Sequence, residues 1–205
     1  MLDISTKIDK IIIYQYKGLL QVRVISGMAK GTKLESIDSL STRPTLDRVK
    51  EALFNIIQPY IQDAKVLDLF AGSGALGIEA LSRGAKHCVF CEKSHEAIQK
   101  VRSNIQKTHL ESKALILQKD YRKCLQEMRG EVYNIIFLDP PYRFNIAVEA
   151  VERIAEEKLL AKDGIIVIET DDEKREIQEL EKINIEVKDI RKYGRVKLLF
   201  LVERG

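Results

Sequence analysis

Asp139-Pro140-Pro141-Tyr142 puts a carboxylate, two imino acids and an aromatic ring at the end of an apolar run, Ile135-Ile136-Phe137-Leu138, that reads as a buried strand. Proline fixes its own φ and drives the residue before it into an extended conformation. The Asp139 carboxylate and the Pro140 carbonyl are thereby offered as two acceptors to one amino group, with Tyr142 as a stacking face. Such a set suits a flat heterocycle carrying an exocyclic amine, as methylation of a nucleobase nitrogen requires.

A second constellation lies upstream. Asp68-Leu69-Phe70-Ala71-Gly72-Ser73-Gly74-Ala75-Leu76-Gly77 ends one apolar run and opens a helical one. Glycines there allow a sharp turn and a close approach to a ligand. The run contains G-x-G-x-x-G, and Glu92 ends the next strand where a carboxylate can take two ribose hydroxyls, so a nicotinamide dinucleotide and S-adenosylmethionine both qualify. Asp68 favours the second, because an acid beside the loop disfavours a pyrophosphate and favours an α-ammonium. A plain strand-to-helix turn is the simpler alternative for the loop. Asp120-Tyr121 follows a third strand; Asp120 serves either as an acceptor for an adenine amine or as the cap of the next helix. The expected cofactor set is Asp68, Phe70, Gly72, Gly74, Glu92, Asp120 and Tyr121.

The elements that must position these residues alternate. Strands are expected over Val66–Phe70, Cys88–Glu92, Ala114–Gln118, Asn134–Asp139 and Gly164–Glu169. Helices are expected over Gly74–Arg83, His95–Lys107, Tyr121–Met128 and Asn145–Glu157. Near-continuous apolar strands between amphipathic helices imply an α/β fold, a doubly wound, mostly parallel sheet covered on both faces. All strand ends then meet in one crevice. A charged helix near Asp171–Lys182 precedes two runs, Ile185–Ile190 and Val196–Val202, whose tight turn at Tyr193-Gly194 implies an antiparallel C-terminal hairpin. Upstream, Val22–Ile25 and Thr32–Ser36 read as a small N-terminal β-hairpin. Thr45 is placed to cap a helix running to about Ile57, with Leu46, Val49, Ala52, Leu53, Ile56 and Ile57 as its buried stripe.

At 205 residues the chain suits a single domain, and its 45% hydrophobic and 32% charged content is ordinary for a globular protein. Net charge is only +3, concentrated in residues 1–58, which hold nine Lys/Arg against six Asp/Glu. That excludes a polycation and leaves a modest basic bias for a phosphate-rich partner. Three cysteines make no disulfide framework, and no segment has the apolar length of a membrane span, so a cytoplasmic protein is expected. Cys88-Val89-Phe90-Cys91, with His87 and His95 beside it, resembles a metal motif. On a strand, however, Cys88 and Cys91 point to opposite faces, so no metal is expected.

With these residues in place, the chain resembles the RsmD-type 16S ribosomal RNA guanine-N2 methyltransferases, a class I S-adenosylmethionine-dependent family. The similarity runs over roughly residues 22–203. It rests on Arg23-Val24-Ile25-Ser26-Gly27, on Thr42-Arg43-Pro44-Thr45-Leu46-Asp47-Arg48-Val49-Lys50-Glu51, on Leu67–Gly77, on Glu79-Ala80-Leu81-Ser82-Arg83-Gly84-Ala85, on Glu92-Lys93 and on Asp139–Tyr142. The resemblance implies a seven-stranded Rossmann-like sheet, S-adenosylmethionine as cofactor, Asp139, Pro140 and Tyr142 as the catalytic set, and 16S RNA or the assembling small subunit as partner; the oligomeric state stays open, with a monomer expected. RNA contacts are expected from Arg23, Lys30, Lys33 and Arg43, and from Arg191, Lys192 and Arg195 at the C-terminal turn. Residues 22–58 form the N-terminal hairpin and helix, and 59–205 the methyltransferase domain. Residues 1–21 fit the family poorly; either translation begins at Val22, or they form a genuine β extension. Competing functions are a DNA adenine-N6 methyltransferase, a nicotinamide oxidoreductase and a non-catalytic RNA-binding module.

Overall fold

The computed structural model describes residues 22–37, 44–140 and 146–204. Seven strands form one sheet: β1 Lys65–Asp68, β2 His87–Glu92, β3 Ala114–Gln118, β4 Tyr133–Leu138, β5 Leu160–Thr170, β6 Ile185–Tyr193 and β7 Val196–Glu203. Their order is β3-β2-β1-β4-β5-β7-β6. The first five pair in parallel, whereas β7 runs antiparallel to both β5 and β6. The expected doubly wound sheet with its closing hairpin is the one observed. Chain order reverses between β1 and β4, which opens a crevice at their carboxyl ends.

Among the described residues, α1 Pro44–Ile56 precedes the sheet and five α-helices connect its strands: α2 Ala75–Ser82, α3 His95–Thr108, α4 Tyr121–Glu127, α5 Ile146–Glu156 and α6 Glu173–Leu180. α1 begins at Pro44, one residue before the expected cap Thr45; proline suits a first helical turn because its missing N–H would be unpaired there anyway. Strand residues alternate between two apolar layers. Cys88 and Phe90 pack into the layer containing Phe54, Ile78 and Phe137, and Val89 and Cys91 into the layer containing Leu125, Val151 and Leu199. The two cysteines therefore occupy opposite faces. Burial raises the Cys88 thiol pKa; contact with Cys124, then burial, raises that of Cys91. β5 begins at Leu160, earlier than the apolar run suggests, because its pairing with β4 shifts register between Tyr133 and Ile135 and takes in the polar residues before Gly164.

The N-terminal hairpin is reduced to one antiparallel bridge, Arg23 to Lys33. A buried charge cluster fastens it. Glu79 on α2 is fully buried and accepts from the backbone N–H of Ile25 at 2.7 Å and of Ser26 at 2.9 Å. Arg83 Nε lies 2.8 Å and Lys50 Nζ 3.6 Å from the same carboxylate. Lys50 also donates to the Arg23 carbonyl at 2.6 Å. Gly27, at φ +84°, comes so close to α2 that a Cβ there would lie 1.8 Å from the Ser82 carbonyl oxygen.

Candidate active site

Four carboxylates reach the carboxyl edge of the sheet in turn: Asp68 from β1, Glu92 from β2, Asp120 after β3 and Asp139 after β4. β1 and β4 are neighbours, with Asp68 paired to Phe137 and the Leu69 N–H donating to the Phe137 carbonyl at 3.1 Å. The glycine elbow and the Asp139-Pro140 step thus leave adjacent strands in the same direction. A cleft of about 740 Å³ between them is lined by Phe70, Gly72, Glu92, Asp120, Tyr121 and Asp139, among others.

Gly72 and Gly74 take φ of +54° and +81°, the left-handed region that glycine enters without strain. Gly74 faces inward: a Cβ there would meet Ile78, Phe90 and Val101 at 3.3–3.5 Å. It shapes the turn, and of the two glycines only Gly72 lines the cleft. Asp68 also differs from expectation. It is 2% exposed, does not line the cleft, and accepts from the Gly77 N–H at 3.0 Å. Burial, helped by the charge of Glu92 and opposed by the Gly77 bond, raises its pKa to about 7. Sequence reasoning placed Asp68 correctly at the strand end but not its side chain, which turns back to brace the elbow.

Glu92 accepts from the Gly72 N–H at 3.0 Å through one oxygen and from the Ser94 N–H at 2.8 Å through the other. Each oxygen keeps a lone pair for a hydroxyl. Asp120 caps α4, accepting from the Arg122 N–H at 3.1 Å, and also borders the cleft. The Phe70 and Tyr121 rings lie 5.2 Å apart, and the Tyr121 hydroxyl donates to Glu149 at 2.8 Å. The elbow amides of Gly72 and Gly77 are thus already bonded to carboxylates. A pyrophosphate, which needs such N–H groups free and no acid beside them, fits this loop poorly. A ligand with cationic and hydroxyl groups fits it well.

Asp139 is exposed and lines the cleft. Desolvation, and then the charges of Glu169 and Asp68, push its pKa above the usual carboxylate range. Pro140 is buried. Tyr142 and Arg43 lie outside the described residues, as do residues 1–21.

Beyond Asp120, a wider hollow of about 1010 Å³ is bordered by Lys93, Lys119, Arg122 and Lys123. Lys119 is paired with Glu127 and Arg122 with Glu149, and the hollow reaches neither elbow nor Asp139. The narrower cleft is therefore the candidate site. Of the expected RNA contacts, Lys30 and Lys33 are exposed, whereas Arg23 is paired with Asp47 at 3.3 Å. The β6–β7 turn emerges at the carboxyl edge, since Lys197 pairs with Thr170 at the end of β5. There Arg191 is paired with Asp189 at 2.8 Å and Lys192 with Glu173 at 2.7 Å, while Arg195 makes no ion pair among the described residues. Among those residues no group of three or more His, Cys, Asp or Glu is placed to hold a metal ion, and no helix is long and apolar enough to cross a membrane.

The family described as conserved hypothetical protein 95 matches residues 22–202. YlbH of Bacillus subtilis is 46% identical over 154 residues, covering 74% of this chain and 84% of its own length. The ribosomal RNA small subunit methyltransferase D of Haemophilus influenzae is 40% identical over 156 residues, covering 75% of this chain and 81% of its own. Among solved structures, yhhF of Escherichia coli superimposes with a TM-score of 0.76 at 32% identity, covering 90% of this chain and 99% of its own. The chain belongs to this family, the RsmD-type ribosomal RNA methyltransferases.

Proposed function

We propose that the protein transfers a methyl group from S-adenosylmethionine to the exocyclic N2 of a guanine in the 16S RNA of the small ribosomal subunit. The observation that carries this reading is the adjacency of β1 and β4, which sets the glycine elbow beside Asp139-Pro140 across one cleft. The curated relative from Haemophilus influenzae is named a ribosomal RNA small subunit methyltransferase, which supports the substrate class.

Glu92 would take the ribose hydroxyls, Asp120 the adenine amine, and Phe70 with Tyr121 the adenine ring. Asp68 would hold the elbow in shape beneath them and contribute negative potential toward the cationic end. The cofactor supplies an electrophilic methyl on a sulfonium. Guanine N2 is a poor nucleophile because its lone pair is delocalised into the ring. The Asp139 carboxylate and Pro140 carbonyl would accept its two N–H groups and turn the lone pair toward the methyl, so that catalysis is mainly orientation and charge placement. As the N–C bond forms, the S–C pair stays with sulfur and N2 must shed one proton. A carboxylate with a raised pKa is a better acceptor for that proton than an ordinary one. The base has to leave its stack, and Tyr142 would replace the lost stacking.

The test supplies labelled S-adenosylmethionine with unmodified small subunits, naked 16S RNA and DNA, and maps the methyl by mass spectrometry. N2-methylguanine in the RNA is expected. Label on adenine in DNA, or binding without transfer to any of the three, would overturn the reading.

A further inference from the structure

Asn104 of α3 is fully buried, and a polar side chain so placed must find partners. Its Oδ1 accepts from the Glu35 N–H at 2.7 Å, and its Nδ2 donates to the Glu35 carbonyl and to the Ser73 carbonyl, each at 2.9 Å. A flipped amide would set Nδ2 against the Glu35 N–H and Oδ1 against the two carbonyls, so the network itself fixes the orientation. One side chain thus binds both backbone groups of Glu35 and the backbone of the glycine elbow.

The Glu35 carboxylate adds to the attachment, accepting from Ser103 Oγ at 2.9 Å and Lys107 Nζ at 2.6 Å. Two residues on, Ile37 reaches the elbow, its Cδ1 lying 3.5 Å from where a Cβ on Gly72 would sit. Ile37 is 44% exposed, so its apolar side chain lies across the loop instead of in the core. Gly72 itself lines the cleft.

We propose that Asn104 is a positioning residue for the cofactor end of the site. It straps residues 34–37 along the elbow, so that Ile37 packs against Gly72 and holds that cleft-lining residue in place. Neither residue reacts; Asn104 acts through the strap, and the strap acts by keeping the elbow at one width. This rests on the reading that the cleft binds S-adenosylmethionine. The strap comes from a segment far away in sequence, and the Asn104 amide bonds both it and the Ser73 carbonyl of the elbow.

The experiment titrates S-adenosylmethionine by calorimetry into wild type, Asn104→Ala, Asn104→Asp, Ile37→Ala and the Asn104→Ala/Ile37→Ala double variant, with KM for cofactor and for RNA measured in parallel. Asn104→Asp keeps the size and the acceptor but loses both donors, so it should behave as Asn104→Ala. Each single variant should weaken cofactor binding by about tenfold, the scale of one net hydrogen bond. KM for RNA should hold within about twofold. The double variant should be no weaker than the worse single one, because both act on one contact. Ile37→Ala removes an exposed side chain and leaves folding intact, so unchanged cofactor affinity in that variant overturns the proposal even if the Asn104 variants unfold. Additive losses also overturn it, since they assign Asn104 a separate structural role. A wild type that binds no S-adenosylmethionine would instead overturn the functional reading.

Discussion

On the elbow side of the cleft, the lining acid Glu92 and the buried Asp68 beneath it are both tied to backbone. Asp68 holds Gly77, Glu92 holds Gly72 and Ser94, and Asn104 adds Ser73 and the strap. On the facing wall Asp139 stands exposed at the mouth, with Glu169 and Asp68 as like charges. The first wall is rigid and spends its carboxylates on shape. The second keeps a carboxylate whose ionised form gains most from a cation and an amine arriving together. On the function proposed above, cofactor binding and chemistry are divided between walls, and variants should separate them.

The largest separation is expected from Asp139→Ala. Losing one of two acceptors at the reacting nitrogen should lower the transfer rate by about a thousandfold, on the scale of removing a preorganised hydrogen-bonding group. Affinity for S-adenosylmethionine should change by no more than about threefold, because the elbow wall is untouched. Single-turnover transfer with calorimetry on the same preparation measures both. Retained turnover would remove Asp139 from the mechanism.

On the elbow wall the corresponding break goes through folding. Glu79→Ala would leave Lys50 and Arg83 without their buried counter-charge and the N–H groups of Ile25 and Ser26 without an acceptor. Breaking a buried pair from one side costs about 3–5 kcal/mol. Denaturant unfolding should show this loss, and a variant as stable as wild type would mean that water reaches the cluster.

Asp68 gives a finer contrast through pH. Its folded pKa of about 7 exceeds the ordinary 3.8, so the folded state holds a proton that the unfolded state has released. The stability it contributes is fully present below about pH 4 and is lost as pH rises through 7. Asp68→Asn keeps an acceptor for Gly77 and removes the titration, so the difference between wild-type and variant stability curves should slope between those limits and then level off. Affinity for the cationic cofactor should rise between pH 6 and 8 in wild type and stay flatter in the variant. Parallel stability curves would show that Asp68 is ionised throughout.

Much of this was legible in the chain because the strands are continuous apolar runs and the acids follow them directly. β3 was read to the residue, and Glu92 and Asp120 line the cleft as their positions at strand ends imply. The braces were hidden because their partners are remote in sequence. Asn104 meets Glu35 across 69 residues and Glu79 meets Ile25 across 54, separations that local periodicity does not register. A signal did exist: Asn104 sits beside Ile105 and three residues after Val101, on the stripe that otherwise reads as core. A polar residue on an apolar stripe asks for a partner. The direction of the Asp68 side chain could not be had from spacing, since a strand end lets an acid face the cleft or turn back under the elbow.

The smallest effect is expected at the β6–β7 turn, where the sequence offers three cations. Arg191 and Lys192 already have carboxylate partners, the half-exposed Asp189 and the buried Glu173, and both partners divert charge from a ligand. Arg195 is exposed at the edge shared with Asp139. Three independent phosphate contacts would lower the salt slope of RNA binding by nearly three on removal, whereas one effective contact lowers it by about one. Replacing Arg191, Lys192 and Arg195 together should therefore change the slope by about one and leave cofactor affinity unaltered, and Arg195→Ala alone should reproduce most of it. A drop near three would mean that RNA breaks both pairs to take their cations, which would make this turn part of the base-side wall. No change in slope would confine RNA contact to the rest of that wall.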